Sequence, residues 1–171
     1  MTRSRSLTGT VTTAVLVVVF GNQWISEWLL ENVTGDNALT WLVHRLVWPS
    51  WSVDFSGSDA EVRSVIAADV RAGLTIALVY ALLVAFRKTF PEGFSGFVVG
   101  WSTVIFASVV AAFASTFILP GATVVGALDA TAPAAMFGLF IGWVVGFITS
   151  VGRNIPLIGK TSDKSKASAA A

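Results

Sequence analysis

The sequence predicts an all-α membrane protein, a four-span helical bundle with an outer interfacial loop that contains a short amphipathic helix. Three observations carry this expectation. Of 171 residues, 54% are hydrophobic and only 12% charged, where soluble domains carry about a quarter charged residues. The apolar residues fall in long uninterrupted runs, and the mean hydropathy is +0.76. The basic residues are distributed unevenly between those runs. This composition excludes a disordered chain, a nucleic-acid binder with a basic face and an ordinary water-soluble enzyme. The sequence has no cysteine, so it can form no disulfide framework, CxxC redox pair or thiolate metal site.

Four runs are candidate spans, at about residues 7–30, 71–87, 94–119 and 134–151. A bilayer core of about 30 Å needs roughly 20 helical residues. The third and fourth runs meet that directly. The second offers only Ala72 to Phe86 between its arginines, roughly 22 Å at about 1.5 Å per residue, and arginine stems can snorkel to extend it. Orientation follows from lysine and arginine. With both termini and the 87–93 segment in the cytoplasm, eight basic residues lie inside, and Arg45, Arg63 and Arg71 lie outside. That is a positive-inside pattern, which points to a plasma (inner) membrane protein with both termini cytoplasmic. Arg3, Arg5 and the apolar Val11–Phe20 resemble the start of a signal peptide, but no A-x-A-like site follows. The expectation is an uncleaved anchor.

The outer loop covers about residues 31–70. Asp36 or Asn37 can cap a helix over Ala38–Trp48, with Leu39, Leu42, Val43 and Leu46 at helical spacing and Pro49 ending it. Eleven residues cannot span a bilayer, so this helix is expected to lie on the membrane surface. Trp24, Trp28, Trp41, Trp48 and Trp51 all fall near the outer interface, the ordinary place for an aromatic belt. Trp51, Val53 and Phe55 alternate with polar residues, as in a short strand, but an extended segment is expected because the chain offers no partner strand. Ser58 and Glu61 form a capping box, and the helix begun there is expected to run unbroken into the second span.

Candidate chemistry is sparse. The run from Asp54 to Glu61 is rich in oxygen ligands, but it fails the EF-hand pattern: Asp59 stands where glycine is required and Val65 where the closing glutamate is. His44 is the only histidine, which argues against zinc. Gly93-Phe94-Ser95-Gly96 resembles the GxSG nucleophile motif of the rhomboid intramembrane proteases. That family has at least six spans and pairs its serine with a histidine from another span. Here His44 falls on the opposite side of the bilayer from Ser95, so the serine has no base to activate it. The four span cores contain no ionisable residue, which removes the usual carriers of proton coupling and voltage sensing. No catalytic, cofactor or metal residues are expected.

The strongest positive pattern is small residues at four-residue spacing. Gly138, Gly142, Gly146 and Ser150 form a glycine zipper in the fourth span. Gly73, Ala77, Ala81 and Ala85 repeat the spacing in the second. Gly96 and Gly100 begin a stripe in the third, which Ser108, Ala112 and Thr116 continue. Gly9, Thr13 and Gly21 do the same in the first. Such stripes let helix backbones approach closely.

The chain is therefore expected to be one transmembrane domain over residues 1–160, followed by a disordered cytoplasmic tail at 161–171. The leading expectation is a non-catalytic scaffold or accessory subunit of a larger membrane complex. Its partners would be the lipid bilayer and other membrane chains, with Trp41, His44, Arg45, Trp48 and Trp51 of the outer loop forming a recognition surface. The alternatives are a small transporter or lipid-handling protein with a groove near Thr75, Tyr80, Ser108 and Ser115, or an outer-loop ligand sensor.

Overall fold

The computed structural model describes residues 2–38, 40, 50–89, 91 and 93–151. Of the expected surface helix at 38–48 only Ala38 and Thr40 are described, both helical; Trp41, His44, Arg45 and Trp48, and the tail at 161–171, lie outside the described residues. Six α-helices are described: α1 (Thr2–Phe20), α2 (Gln23–Asn32), α3 (Asp59–Ala85), α4 (Phe94–Thr116), α5 (Val124–Asp129) and α6 (Thr131–Val151). A 3₁₀ turn, Phe86–Lys88, follows α3. Among the described residues the only strand-like pairing is an isolated bridge between Asn22 and Trp51.

Three helical stretches are long and apolar enough to cross a membrane: Asp59–Ala85, Phe94–Thr116 and Val124–Ser150. The first apolar helix, Leu7–Phe20, is shorter. The run at 7–30 is therefore not one helix. It breaks at Gly21 and Asn22, where the Asn22 Oδ1 accepts the Trp24 N–H at 2.9 Å and caps a second helix. An asparagine that satisfies an orphan N–H makes a new helix start favourable, and here it outweighs the continuity of apolar residues.

The other boundaries also shift. Ser58 and Glu61 form a reciprocal capping box, and α3 runs 27 residues from it without a break, about 40 Å. The unbroken run expected from Ser58 into the second apolar stretch is what the structure has. Helix α4 ends at Thr116, not Leu119. The connection to the last helix is itself largely helical: the Thr123 side chain accepts the Gly126 N–H at 3.1 Å and caps α5. Helix α6 begins at Thr131 and holds Pro133 in its first turn, where a missing N–H costs nothing.

Helix α4 lies in the middle of the bundle, antiparallel to α6 on one side and packed against α3 on another. The small residues decide how close these helices come. A Cβ added at Gly138 would lie 2.5 Å from the Ile105 Cα. One at Gly142 would lie 2.8 Å from the Trp101 carbonyl oxygen, and one at Gly146 2.7 Å from that of Phe97. Residues 97, 101 and 105 of α4 thus sit over 146, 142 and 138 of α6. The Trp101 Nε1 also donates to the Leu139 carbonyl at 2.8 Å, an interhelical bond without competing water.

Helix α1 closes the bundle against α3 and α6. Its Gly9, Thr13 and Val17, and Gly21 just past its end, are all buried. A Cβ at Gly9 would meet the Leu83 Cδ1 and the Thr149 Cγ2, both at 2.8 Å. The apolar core brings together Val17, Val79, Leu83, Val104, Ala107, Phe137, Ile141 and Val145.

Candidate functional site

The bundle interior offers little chemistry. Thr13, Thr75, Thr103, Ser108, Ser115, Thr116 and Thr149 are buried, and each hydroxyl donates to a carbonyl three or four residues back on its own helix. Such bonds satisfy a hydroxyl in an apolar setting without creating a nucleophile or a relay. Among the described residues no buried side-chain nitrogen or oxygen lacks a partner. Ser95 is exposed in the first turn of α4, just after Gly93, whose φ of 64° suits only a residue free of a Cβ. Tyr80 is half exposed on the outside of α3.

Polar groups gather instead at one end of the bundle, around the break between α1 and α2. The extended segment from Ser50 to Ser56 lies across that break. The Trp51 N–H donates to the Gly21 carbonyl at 2.8 Å, and its Nε1 donates to the Val18 carbonyl at 3.2 Å. Both accepting carbonyls are in the last turn of α1 or just past it, where helix carbonyls have no intrahelical donor. The indole packs on the apolar core, whereas Trp24 and Trp28 are exposed.

Ser52 continues the connection to two further helices. Its N–H donates to the Asp69 Oδ1 of α3 at 3.0 Å, and its hydroxyl donates to the Gln23 Oε1 of α2. The Gln23 amide in turn donates to the Glu27 Oε1 at 2.8 Å. Asp54 then turns the chain by accepting the Ser56 hydroxyl at 2.5 Å and the Ser56 N–H at 2.9 Å. Those two bonds, the hydroxyl's first, hold its carboxyl below the usual carboxylate range. The oxygen-rich run 54–61 is thus occupied by a turn at Asp54 and a cap at Glu61.

Beneath this segment is an open cavity of about 570 Å³. Glu27, Asp54 and Glu61 line it, with Ser52, Ser64 and Arg71. Arg71 is half-buried, and its Nε donates to the Ser115 Oγ of α4 at 3.2 Å. A second hollow, apolar and about 520 Å³, runs between α4 and α6 at the other end of the bundle. Its walls include Phe97, Trp101, Trp143 and Phe147, with Phe97 and Trp143 meeting edge to face at 5.8 Å.

The structure treats the small-residue positions differently. It brings Gly100, Gly138, Gly142 and Gly146 into the buried α4–α6 contact, and Gly96 is buried in the first turn of α4. Gly73, Ala77 and Ala81 are exposed on α3, and a Cβ at Gly73 would meet nothing within 4 Å. Of the expected loop surface only Trp51 is described, half-buried against α1. Sequence reading did not assemble the cavity beneath Ser52. Its one signal was that Gln23, Glu27, Asp54, Glu61, Asp69 and Arg71 fall in the polar stretch between the first and second apolar runs. Comparison with family models, curated proteins and solved structures finds no match to this chain.

Proposed function

We propose that this protein is a non-catalytic membrane scaffold, an accessory subunit whose α3 receives a transmembrane helix of a partner chain. One observation carries the reading, the contrast between the small-residue stripes. A Cβ at Gly9, Gly138, Gly142 or Gly146 would strike a neighbouring helix of this chain, whereas one at Gly73 meets open space. Glycine inside a helix costs about 1 kcal/mol against alanine in water, and in lipid it is repaid when another backbone comes close. On α3 none of the described residues supplies that backbone.

The rest of the reading is consistent with a supporting role. The buried hydroxyls bond to their own helices, which leaves no polar file for a transported solute. Helix α1, 19 residues long and about 28 Å, serves as the first of four spans. The eight-to-three division of basic residues supports cytoplasmic termini in a plasma (inner) membrane. The outer loop, with Trp41, His44, Arg45, Trp48 and Trp51, adds a recognition surface for the same partner.

The test is the size of the native assembly after mild-detergent extraction. Gly73→Leu and Ala77→Leu are expected to release the partner chain and shrink the complex without lowering the melting temperature of the bundle. A wild-type chain that migrates alone, or a complex that keeps its mass in both variants, refutes the reading. A released chain with the mass of this protein would make the partner a second copy.

A further inference from the structure

The tight packing of α4 on α6 leaves an open trough beside it. Along the seam, a Cβ at Gly138, Gly142 or Gly146 would lie 2.5–2.8 Å from an atom of α4. Large side chains cannot enter so close a seam, and they stand at its edge. At one end of the bundle Phe94, Phe97 and Trp101 of α4 meet Trp143 and Phe147 of α6 around a hollow of about 520 Å³. The rings form a connected wall: Phe94 on Phe97 at 5.9 Å, Phe97 on Trp101 at 5.8 Å and Phe97 on Trp143 at 5.8 Å, all distances at which aromatic pairs attract. Yet Phe94 is 79% exposed, Trp143 60% and Phe147 59%.

The chain itself carries an occupant for this trough. Ser150, in the last turn of α6, is part of its wall, and the sequence continues past Val151 as Gly152-Arg153-Asn154-Ile155-Pro156-Leu157-Ile158-Gly159-Lys160. Glycine directly after a helix is the residue type that turns a chain back. Four apolar residues follow, between two basic ones. Pro156 biases Ile155 toward extended backbone and brings no N–H that an apolar setting would leave unsatisfied. Ile155 is four residues past Val151 (155 − 151), a reach of about 13–14 Å when extended. Trp143 is seven residues before Ser150 (150 − 143), about 10 Å along the axis, so the whole trough is within reach. The long stems of Arg153 and Lys160 let both ends of the apolar stretch return to the water boundary.

Lipid tails are as apolar as this segment, so fit and proximity decide between them. Residues 152–154 are a short linker, and a short linker presents its segment at high effective concentration. We propose that residues 155–158 fold back into this trough and pack against Phe97, Trp143 and Phe147, covering the α4–α6 seam at that end. The proposal does not depend on a helix docking against α3.

The test uses the full chain in phosphatidylcholine nanodiscs, with a photoreactive residue on each side of the contact in turn. On irradiation, Phe147→p-benzoylphenylalanine is expected to crosslink to residues 155–158 of its own chain, read by peptide mass spectrometry. Leu157→p-benzoylphenylalanine is expected to crosslink to the trough residues of α4 and α6. Mixing isotope-labelled and unlabelled chains separates a crosslink within one chain from one between two copies. Adding Leu157→Asp to the Phe147 probe should lower the intrachain yield by about tenfold, because an ionised carboxylate is costly in an apolar site. Ala169→Asp should leave the yield unchanged. The proposal is overturned if the Phe147 probe captures phosphatidylcholine or a second copy in place of the segment, if the Leu157 probe reacts with lipid alone, or if Leu157→Asp leaves the yield unaltered. If the Phe147 variant fails to fold, the Leu157 probe decides alone.

Discussion

Ser52 and Asp69 are joined by a hydrogen bond from the Ser52 backbone N–H to the Asp69 Oδ1 at 3.0 Å. That bond ties the extended Ser50–Ser56 segment to α3, just as the Trp51 N–H ties it to the end of α1. A bond to a charged acceptor contributes about 1.5–3 kcal/mol. Asp69→Ala is therefore expected to speed hydrogen exchange of the Ser52 amide by about tenfold or more. The α4 and α6 core amides should be unaffected. Equal acceleration in both places would show that Asp69 supports the whole bundle and not the segment.

Gly142 and Gly73 make an internal control. Leucine at 142 must displace Trp101 and the α4 backbone, since even a Cβ there falls 2.8 Å from the Trp101 carbonyl oxygen. Overpacking of this kind costs about 1–3 kcal/mol. At roughly 2–4 °C per kcal/mol for a chain of this size, Gly142→Leu should lower the melting temperature by several degrees in detergent. Gly73→Leu should leave it unchanged, and equal losses at both sites would contradict the packing described for α3.

The Asp54 turn has a defined pH response. The Ser56 hydroxyl and then the Ser56 N–H favour the charged carboxylate, so the folded-state pKa lies below that of the unfolded chain. Their contribution is fully present above the unfolded value and disappears as the pH falls through the folded one. Carboxyl-carbon NMR should place the Asp54 midpoint below that of an unstructured aspartate. Ser56→Ala, which removes the larger cause, should raise it. A midpoint that does not move with Ser56→Ala would remove the turn as the source.

The capping box at the start of α3 predicts a local effect. The Ser58 hydroxyl accepts the Glu61 N–H at 3.5 Å, while Glu61 Oε2 accepts the Ser58 N–H at 2.7 Å. Ser58→Ala should cost about 1 kcal/mol. The loss should appear as faster amide exchange over Glu61–Ser64, with no change from Thr75 onward.

Legibility in the sequence followed physical causes. The runs behind α3, α4 and α6 were readable because length and hydropathy act over many residues at once. The capping box at Ser58 was readable because its signal is local. The break before α2 was missed because Gly21 and Asn22 sit inside an apolar run, and one capping asparagine is a weak signal against that continuity. The short helix at Val124–Asp129 was not foreseen because the glycines and threonines around it are poor helix formers in water, yet Thr123 caps it. The stripe on α3 looks like the others in sequence, since spacing shows that small residues share a face but not which way the face points. The cavity beneath Ser52 could not be read because its walls come from segments far apart in the chain.

The contact of Gly9 with Thr149 has a consequence for biogenesis. The two residues are 140 positions apart (149 − 9). At about 5–20 residues per second the ribosome needs roughly 7–28 s to synthesise the stretch between them. For that interval the amino-terminal helix has no seat against α6, and its threonine- and glycine-rich side remains open to lipid or to the insertion machinery.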